Sequence, residues 1–476
     1  MATASNGHRV CEYANGSRAP GSCEVLMRIN PVRPRLLVFP FVAFAFLWVA
    51  RAQTPARQVP VDSLIFDLKN PDPVRRKEAA RLLGENKLQR ATPDLVAAAS
   101  DADPAVRREI VVALDKMLDM RALPGFVKLN ADPEKDIRDR CIMGIINLYI
   151  PQESGIVVSL NKVANFFNPW SDEWAEVVIE SGINVEASAV DALRARLRDS
   201  DEAIRLKGTR ALGILKARTA VPDLLAALKQ NQSYAMRFET IRSLRKIGDA
   251  AVAPELMPYL TYNDNRTRNE AVYALGRFRY RDAVAEMIRL FEKELALPQK
   301  LADKTYCAFL LDALAFIADP ASKELFIKEK QDPDDDLRLR AVEGLARLGD
   351  PAMAPDMSRA WLNEKNPRIK TAQAYALYRM SRKEFLDELV KSLGNGKTNT
   401  EARALLLEFR PEEMPELYAQ AKNNDANVRE GLAEIYGLIG DERALPVLQS
   451  LAKDRRGQIA VLAGQGMRRI NARFGR

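Results

Sequence analysis

DSDEAIRLKGTRALG, at residues 199–213, is followed by two variants of the same pattern, QNQSYAMRFETIRSLRKIG at 230–248 and YNDNRTRNEAVYALG at 262–276. The arginines that open the apolar runs of these copies lie 32 and 31 residues apart, at Arg205, Arg237 and Arg268. A constant period of this length is typical of solenoids, in which each repeat is one pair of helices.

A single copy contains the signals of two helices. Asp201 suits the N-terminal cap of a first helix, whose apolar side chains at 204–215 follow the three-to-four spacing of one buried face. Pro222 stands in the first turn of a second helix, where its missing N–H costs nothing, and the leucines of 224–228 follow it. Such a pair buries its apolar surface only against neighbouring pairs. We therefore predict an all-α fold, a right-handed α-solenoid of about twelve helix pairs.

Glycines recur near the end of the first helix, at Gly213, Gly248, Gly276, Gly349 and Gly440. The tight turn after a helix favours a residue that tolerates positive φ. We expect all five glycines to occupy that capping position.

The recurring arginine has two interpretations. A row of cations on one face would bind an anionic partner, whereas arginines beside the aspartates of the next turn would tie successive repeats together. We favour the second interpretation, an Asp–Arg ladder made by Arg75, Arg107, Arg138, Arg205, Arg237, Arg268, Arg338 and Arg429.

The repeats resemble those of a known family. The pattern Asp-Pro-x-x-Val-Arg, small apolar residues and Leu-Gly stands at 101–114 (DADPAVRREIVVAL), 332–349 (DPDDDLRLRAVEGLARLG) and 424–440 (NDANVREGLAEIYGLIG). It resembles HEAT repeats of the short bacterial type found in phycobilin-lyase-like (PBS-lyase-like) proteins. The resemblance implies an α-solenoid but leaves function open, because such arrays act as scaffolds, adaptors, nucleic-acid binders, lyases and, in one branch, metal hydroxylases.

The N-terminus has the pattern of an export signal. Residues 1–26 have no helical or strand period, so we predict that they are disordered and lie upstream of the true start at Met27. From there, 27–52 combines a positive start, an apolar core at 36–50 and an A-x-A cleavage site between Ala52 and Gln53. We predict a periplasmic or secreted protein; the alternative is an inner-membrane protein anchored by an uncleaved 36–50 segment.

The rest of the chain divides at one irregular stretch. We predict HEAT repeats at 53–147, an irregular repeat or insertion at 148–184, and HEAT repeats with a C-terminal cap at 185–476. The irregular stretch contains four large aromatic residues, Phe166, Phe167, Trp170 and Trp174. They form either a patch that docks a partner or the filling of a wider gap between helices.

Charge and residue counts exclude several classes of function. The chain has 72 Lys+Arg and 64 Asp+Glu; residues 1–52 hold six of the former and two of the latter, which leaves 66 against 62 and a net charge of +4 after cleavage. Positive and negative side chains mix in almost every repeat, which disfavours binding to nucleic acid. His8, the one histidine, lies before the predicted cleavage site, so the mature chain has no histidine for catalysis or for binding zinc. Cys141 and Cys307, five repeats apart, are expected to be buried thiols.

These observations lead to one functional prediction and one alternative. We predict an exported, non-enzymatic scaffold that binds a protein or peptide partner in the groove of the solenoid, with the second helices on its inner face. No catalytic, cofactor or metal site is expected, and the membrane is contacted only through the signal peptide. The alternative is a lyase-like or other cofactor-handling HEAT protein, as the resemblance permits.

Overall fold

The computed structural model describes residues 60–150, 176–180, 182–230, 233–298 and 300–475. All of them belong to one compact unit, Val59–Arg476. Several predictions fall outside the described residues: the leader at 27–52 with its cleavage site at Ala52 and Gln53, the alternative anchor at 36–50, and the aromatic residues Phe166, Phe167, Trp170 and Trp174.

The described residues form α-helices joined by short 3-10 turns, and no β-strand occurs among them. Within the described residues, eleven helix pairs lie between two single helices, α1 (Val61–Asp67) and α24 (Gly457–Phe474). The all-α solenoid is therefore confirmed.

In each pair the first helix is longer than the second. The first helices are α2 (Pro73–Glu85), α4 (Pro104–Met117), α6 (Lys135–Tyr149), α8 (Glu202–Ile214), α10 (Tyr234–Ile247), α12 (Asn265–Arg277), α14 (Lys304–Ile317), α16 (Asp335–Leu348), α18 (Pro367–Arg379), α20 (Asn399–Leu406) and α22 (Ala426–Ile439). The second helices are α3 (Thr92–Ala97), α5 (Leu123–Leu129), α7 (Ala187–Arg196), α9 (Val221–Lys229), α11 (Ala253–Leu256), α13 (Val284–Leu295), α15 (Lys323–Glu329), α17 (Ala354–Asn363), α19 (Leu386–Lys391), α21 (Met414–Tyr418) and α23 (Ala444–Leu451).

Most first helices begin at a capping side chain. The carboxylate of Asp103 accepts the backbone N–H of Ala105 at 2.7 Å, and Pro104 takes the first helical position. Asp201 and Asp334 cap α8 and α16 in the same way. Each cap satisfies backbone donors that the first turn leaves without a partner, so the cap fixes where each helix starts.

Two of the recurring glycines have the expected capping role. Gly248 and Gly349 follow α10 and α16 with φ angles of +79° and +64°, in the left-handed region. Gly440 follows α22 with a φ of −64°, so the expectation was wrong there. In α8 and α12 the left-handed position belongs to Lys216 and Arg279 instead, with φ angles of +48° and +53°.

Gly213 and Gly276 lie inside helices, so their predicted capping role was also wrong. A Cβ atom at Gly213 would lie 2.8 Å from the Cα of Ser243, and one at Gly276 would lie 2.6 Å from the Cα of Ala313. Both distances are too short for a side chain, because the facing atoms belong to the backbone of the next first helix. Glycine here lets adjacent first helices approach closely.

The two kinds of helix form two layers. Successive first helices pack directly against one another, whereas second helices pack mainly on the first helices. The layer that faces the groove of the solenoid stays a prediction, which places the second helices on its inner face.

A continuous apolar core fills the space between the layers. Cys141 and Cys307 are buried in it as free thiols. Burial raises the pKa of both, that of Cys307 to about 12, so neither forms a thiolate readily at neutral pH.

Candidate functional site

One face of the first helices carries charged side chains from repeat to repeat. Counted from the capping residue, positions 6, 9 and 13 share one side of a helix because they are three and four residues apart. From α8 to α18 these positions hold Lys207, Arg210 and Ile214; Glu239, Arg242 and Lys246; Glu270, Tyr273 and Arg277; Phe309, Asp312 and Phe316; Arg340, Glu343 and Arg347; and Ala372, Tyr375 and Arg379. We call this set the polar face.

Ion pairs connect the polar face between helices. The pairs are Arg210 with Glu239 at 3.0 Å, Arg340 with Asp312 at 3.4 Å, and Arg347 with Glu408, just beyond α20, at 2.6 Å. Most of these groups are largely buried, so the charges are desolvated and depend on their neighbours for stabilisation. The face carries both signs of charge, with eight cationic side chains and four carboxylates.

Two acidic side chains meet in the interior of this network. Glu343 of α16 and Glu401 of α20 are both fully buried, and their charges interact. Burial, and then the charge of Glu343, raises the pKa of Glu401 well above its usual value. Burial also opposes ionisation of Glu343, but Arg340 and Arg347 outweigh it and hold its pKa below the usual value. Glu401 therefore holds its proton to higher pH than Glu343 does.

A short non-helical segment, residues 176–180, lies against the first helices. Val177 and Ile179 are buried while the residues between and beside them are partly or fully exposed, which is the alternation of an extended chain. The N–H of Ile179 donates to the carbonyl of Ile214 at 2.9 Å, at the end of α8. We call residues 176–180 the clamped segment.

Arginines hold both ends of the clamped segment. Arg245 donates to the two carboxylate oxygens of Glu176 at 2.8 and 2.9 Å, and also to Glu270 at 2.7 Å. Arg469, in the last helix, donates to Glu180 at 2.9 Å. Bidentate pairs between arginine and carboxylate fix geometry as well as adding energy. The first-helix layer can therefore hold an extended chain by its acidic side chains.

A pocket of about 360 Å³ opens beside the clamped segment. Four cationic side chains line it, from Lys216, Arg245, Lys246 and Arg277, with one carboxylate, that of Glu176. Burial lowers the pKa of Lys216, and it lowers that of Lys246 to about 8. We call this the basic pocket. No motif in the sequence marks it, although three of its cations follow from counting positions 13 and 15 after each cap.

Two other cavities have different linings. One of about 420 Å³ lies beside Leu118, Met120, Ile150 and Ile183 and is mainly apolar. The other, of about 240 Å³, includes Trp361, whose ring lies 4.5 Å from the ammonium group of Lys370. Neither brings together a set of acid–base groups.

The recurring arginines lie at the fourth position after each cap. Arg107 donates to Asp132 in the next repeat at 2.5 Å and to the carbonyl of Asp101 in its own loop at 2.9 Å. Similar contacts join Arg138 to Asp199, Arg268 to Asp303 and Arg429 to Asp454. Arg338 lies 3.8 Å from Glu364. Arg205 donates to the carbonyls of Asp199 and Ser200, and Arg237 lies over the ring of Tyr262.

In the first repeat the position belongs to Arg76, so the prediction of Arg75 was wrong. Arg76 donates to Asp101 at 2.6 and 2.8 Å, as Arg107 does to Asp132. The cap, Asp72, sets the register, and the fourth residue after it is Arg76. Because Arg75 and Arg76 are adjacent, the repeat pattern alone does not distinguish them, whereas counting four residues from the cap Asp72 selects Arg76.

The profile of HEAT repeats matches residues 61–146, 221–297 and 322–410, more than half of the chain. The chain belongs to the HEAT-repeat family. No curated protein matches it.

Solved structures similar to this HEAT-repeat protein include an engineered protein, with 17% identity and a TM-score of 0.33 over 86% of this chain and 98% of the other. Importin beta crystallised in ammonium sulfate has 12% identity and a TM-score of 0.45, over 87% of this chain and 62% of its own. Importin beta crystallised in polyethylene glycol has 10% identity and a TM-score of 0.39, over 86% and 64%.

The described part of the HEAT-repeat protein contains no group of three or more His, Cys, Asp or Glu side chains placed to hold a metal ion. None of its helices combines the length and apolar character needed to cross a bilayer.

Proposed function

We propose that this HEAT-repeat protein is an exported, non-enzymatic scaffold that binds an extended segment of a partner protein at the accessible positions of the polar face, such as Lys207 and Arg277. The clamped segment carries this proposal. Its alternate apolar residues are buried and its carboxylates are held by Arg245 and Arg469, so the same layer suits a chain supplied by another protein. Binding of this kind spreads over many modest contacts.

The distribution of charge favours a protein partner over nucleic acid. Arg340 lies between Asp312 and Glu343, and Arg210 lies beside Glu239. A phosphate backbone needs a continuous cationic track, which the carboxylates of the polar face interrupt. A peptide with both polar and apolar side chains is suited to this mixture.

Export is proposed from the pattern of residues 27–52 and is tested by N-terminal sequencing of the protein from the periplasmic fraction. We expect the chain to begin at Gln53. A membrane-bound chain beginning at Met27 would support the anchor at 36–50 instead. An intact chain beginning at Met1 in the cytoplasm would refute export.

Partner binding is tested by placing a photo-crosslinking amino acid at Lys207, which lies on the polar face with a partly exposed side chain. The matched control is Arg359 in the second helix α17, which has a more exposed side chain. Irradiation of cells should yield a protein adduct from position 207 and little from position 359. No adduct from 207, or equal adducts from both, would refute the polar face as the binding surface.

The cofactor-handling alternative has its own test. Protein purified from its native compartment should show no visible absorbance and no stoichiometric metal. A bound tetrapyrrole or a metal at one equivalent would replace the scaffold proposal with the phycobilin-lyase-like alternative.

A further inference from the structure

The basic pocket holds more positive charge than its own acidic groups neutralise. Arg245 is matched by Glu176 and Glu270. Arg277 is exposed and lies over the ring of Phe316 at 4.6 Å. Among the described residues, no carboxylate lies within ion-pair distance of Lys216 or Arg277.

The surroundings leave Lys216 poorly stabilised. This side chain is partly buried, and burial disfavours its charged form. Lys246 is almost fully buried, beside Glu239, which favours its charge, and beside Arg242 and Arg245, which oppose it. A carboxylate placed between Lys216 and Arg277 would stabilise both of these cations.

The clamped segment indicates what form the anion takes. Its sequence, Glu-Val-Val-Ile-Glu, places a carboxylate at each end and apolar side chains between, and it lies along the rim of the pocket. Val178 and Phe278 give the pocket an apolar wall beside the cations. An isolated small anion would use the cations but leave that wall without a partner.

We propose that the basic pocket recognises an acidic segment of the partner protein, an extended peptide in which carboxylates alternate with apolar residues. This rests on the proposed function of the polar face. The peptide would lie beside the clamped segment, with a carboxylate between Lys216 and Arg277 and an apolar residue on Phe278.

The test is fluorescence anisotropy with the full chain and a labelled hexapeptide of alternating Glu and Val. A peptide with Gln in place of Glu is the ligand control. We expect the Glu peptide to bind, the Gln peptide not to bind, and added salt to weaken binding. Lys216→Gln and Arg277→Gln should each weaken it about tenfold, the loss of one charge-assisted contact.

The chain offers matched protein controls. Lys87 occupies in the first repeat the left-handed position that Lys216 occupies in the fourth, with φ angles of +49° and +48°. Arg279 is exposed two residues after Arg277. Lys87→Gln and Arg279→Gln should therefore leave peptide binding unchanged, while removing the same charges.

Three results would overturn the inference. If all four variants bound the Glu peptide equally well, the peptide would bind outside the basic pocket. If the full chain did not bind the Glu peptide, the basic pocket would not be a site for an acidic peptide. Binding of inorganic phosphate, weakened by Lys216→Gln, without binding of the peptide would make the pocket a site for small anions. In each case the adduct from position 207 would still decide the proposed function independently.

Discussion

Replacing Arg107 by alanine tests whether the ladder stabilises the stack. The guanidinium donates to Asp132 of the next repeat at 2.5 and 3.1 Å and to the carbonyls of Asp101 and Ala102 at 2.9 and 3.2 Å. The side chains of Arg107 and Asp132 are only 14% and 3% exposed. Arg107→Ala would leave the carboxylate of Asp132 buried with one remaining donor, the N–H of Glu134.

The adjacent arginine provides the control. Arg108 pairs with Asp136, but their side chains are 42% and 54% exposed. Removing one partner of a buried ion pair costs about 3 kcal/mol, whereas an exposed pair contributes about 0.5 kcal/mol. We therefore expect Arg107→Ala to destabilise α4 and α6 by about 3 kcal/mol, and Arg108→Ala to have little effect.

Hydrogen exchange read by mass spectrometry is the appropriate assay, because a long repeat array can open locally. Amides of α4 and α6 should exchange about a hundredfold faster in Arg107→Ala, while α22, far along the array, should be unchanged. Arg107→Ala with Asp132→Asn should recover part of the protection, because the amide carries no charge. Equal effects of Arg107→Ala and Arg108→Ala would refute the reasoning.

Three further predictions follow from the interior of the array. Burial and the charge of Glu343 raise the pKa of Glu401 in the folded state. Its contribution to the free energy of unfolding is therefore complete below the unfolded pKa of about 4.3 and is lost as pH rises. Glu401→Gln should raise the urea midpoint at pH 7 and not at pH 4. A Cβ at Gly437 would lie 2.6 Å from the backbone of α24, so Gly437→Ala should cost about 1–3 kcal/mol by thermal melting. Gly457→Ala, in open space, should be neutral or stabilising. Cys141 and Cys307 should react with a thiol reagent only after unfolding; rapid reaction of the folded protein would contradict their burial.

The sequence predicts the repeat and the helix starts because both depend on local signals. Asp201 and Asp334 cap helices where the pattern places them. The predictions are wrong where the role of a residue depends on its distance from the helix cap. Gly213 and Gly248 look equivalent in aligned repeats, yet they stand 12 and 15 residues after their caps. One permits helices to approach closely, and the other permits a left-handed turn.

The candidate site was less predictable, since it depends on contacts between distant residues. Glu343 and Glu401 are separated by more than one repeat, and their pairing depends on how α20 packs. The charges of the basic pocket look like ordinary last-turn cations in the sequence, where they would complement helix dipoles. The clamped segment of 176–180 brings them together as the wall of a pocket.

The contact between Arg469 and Glu180 joins residues 289 positions apart. Repeats that touch only their neighbours can fold as they leave the ribosome, each on the one before. The contact between Arg469 and Glu180 forms later, because translation at roughly 5–20 residues per second adds Arg469 about 15–60 s after Glu180. During that interval Glu180 lacks its arginine, so another polypeptide can reach this acidic end first.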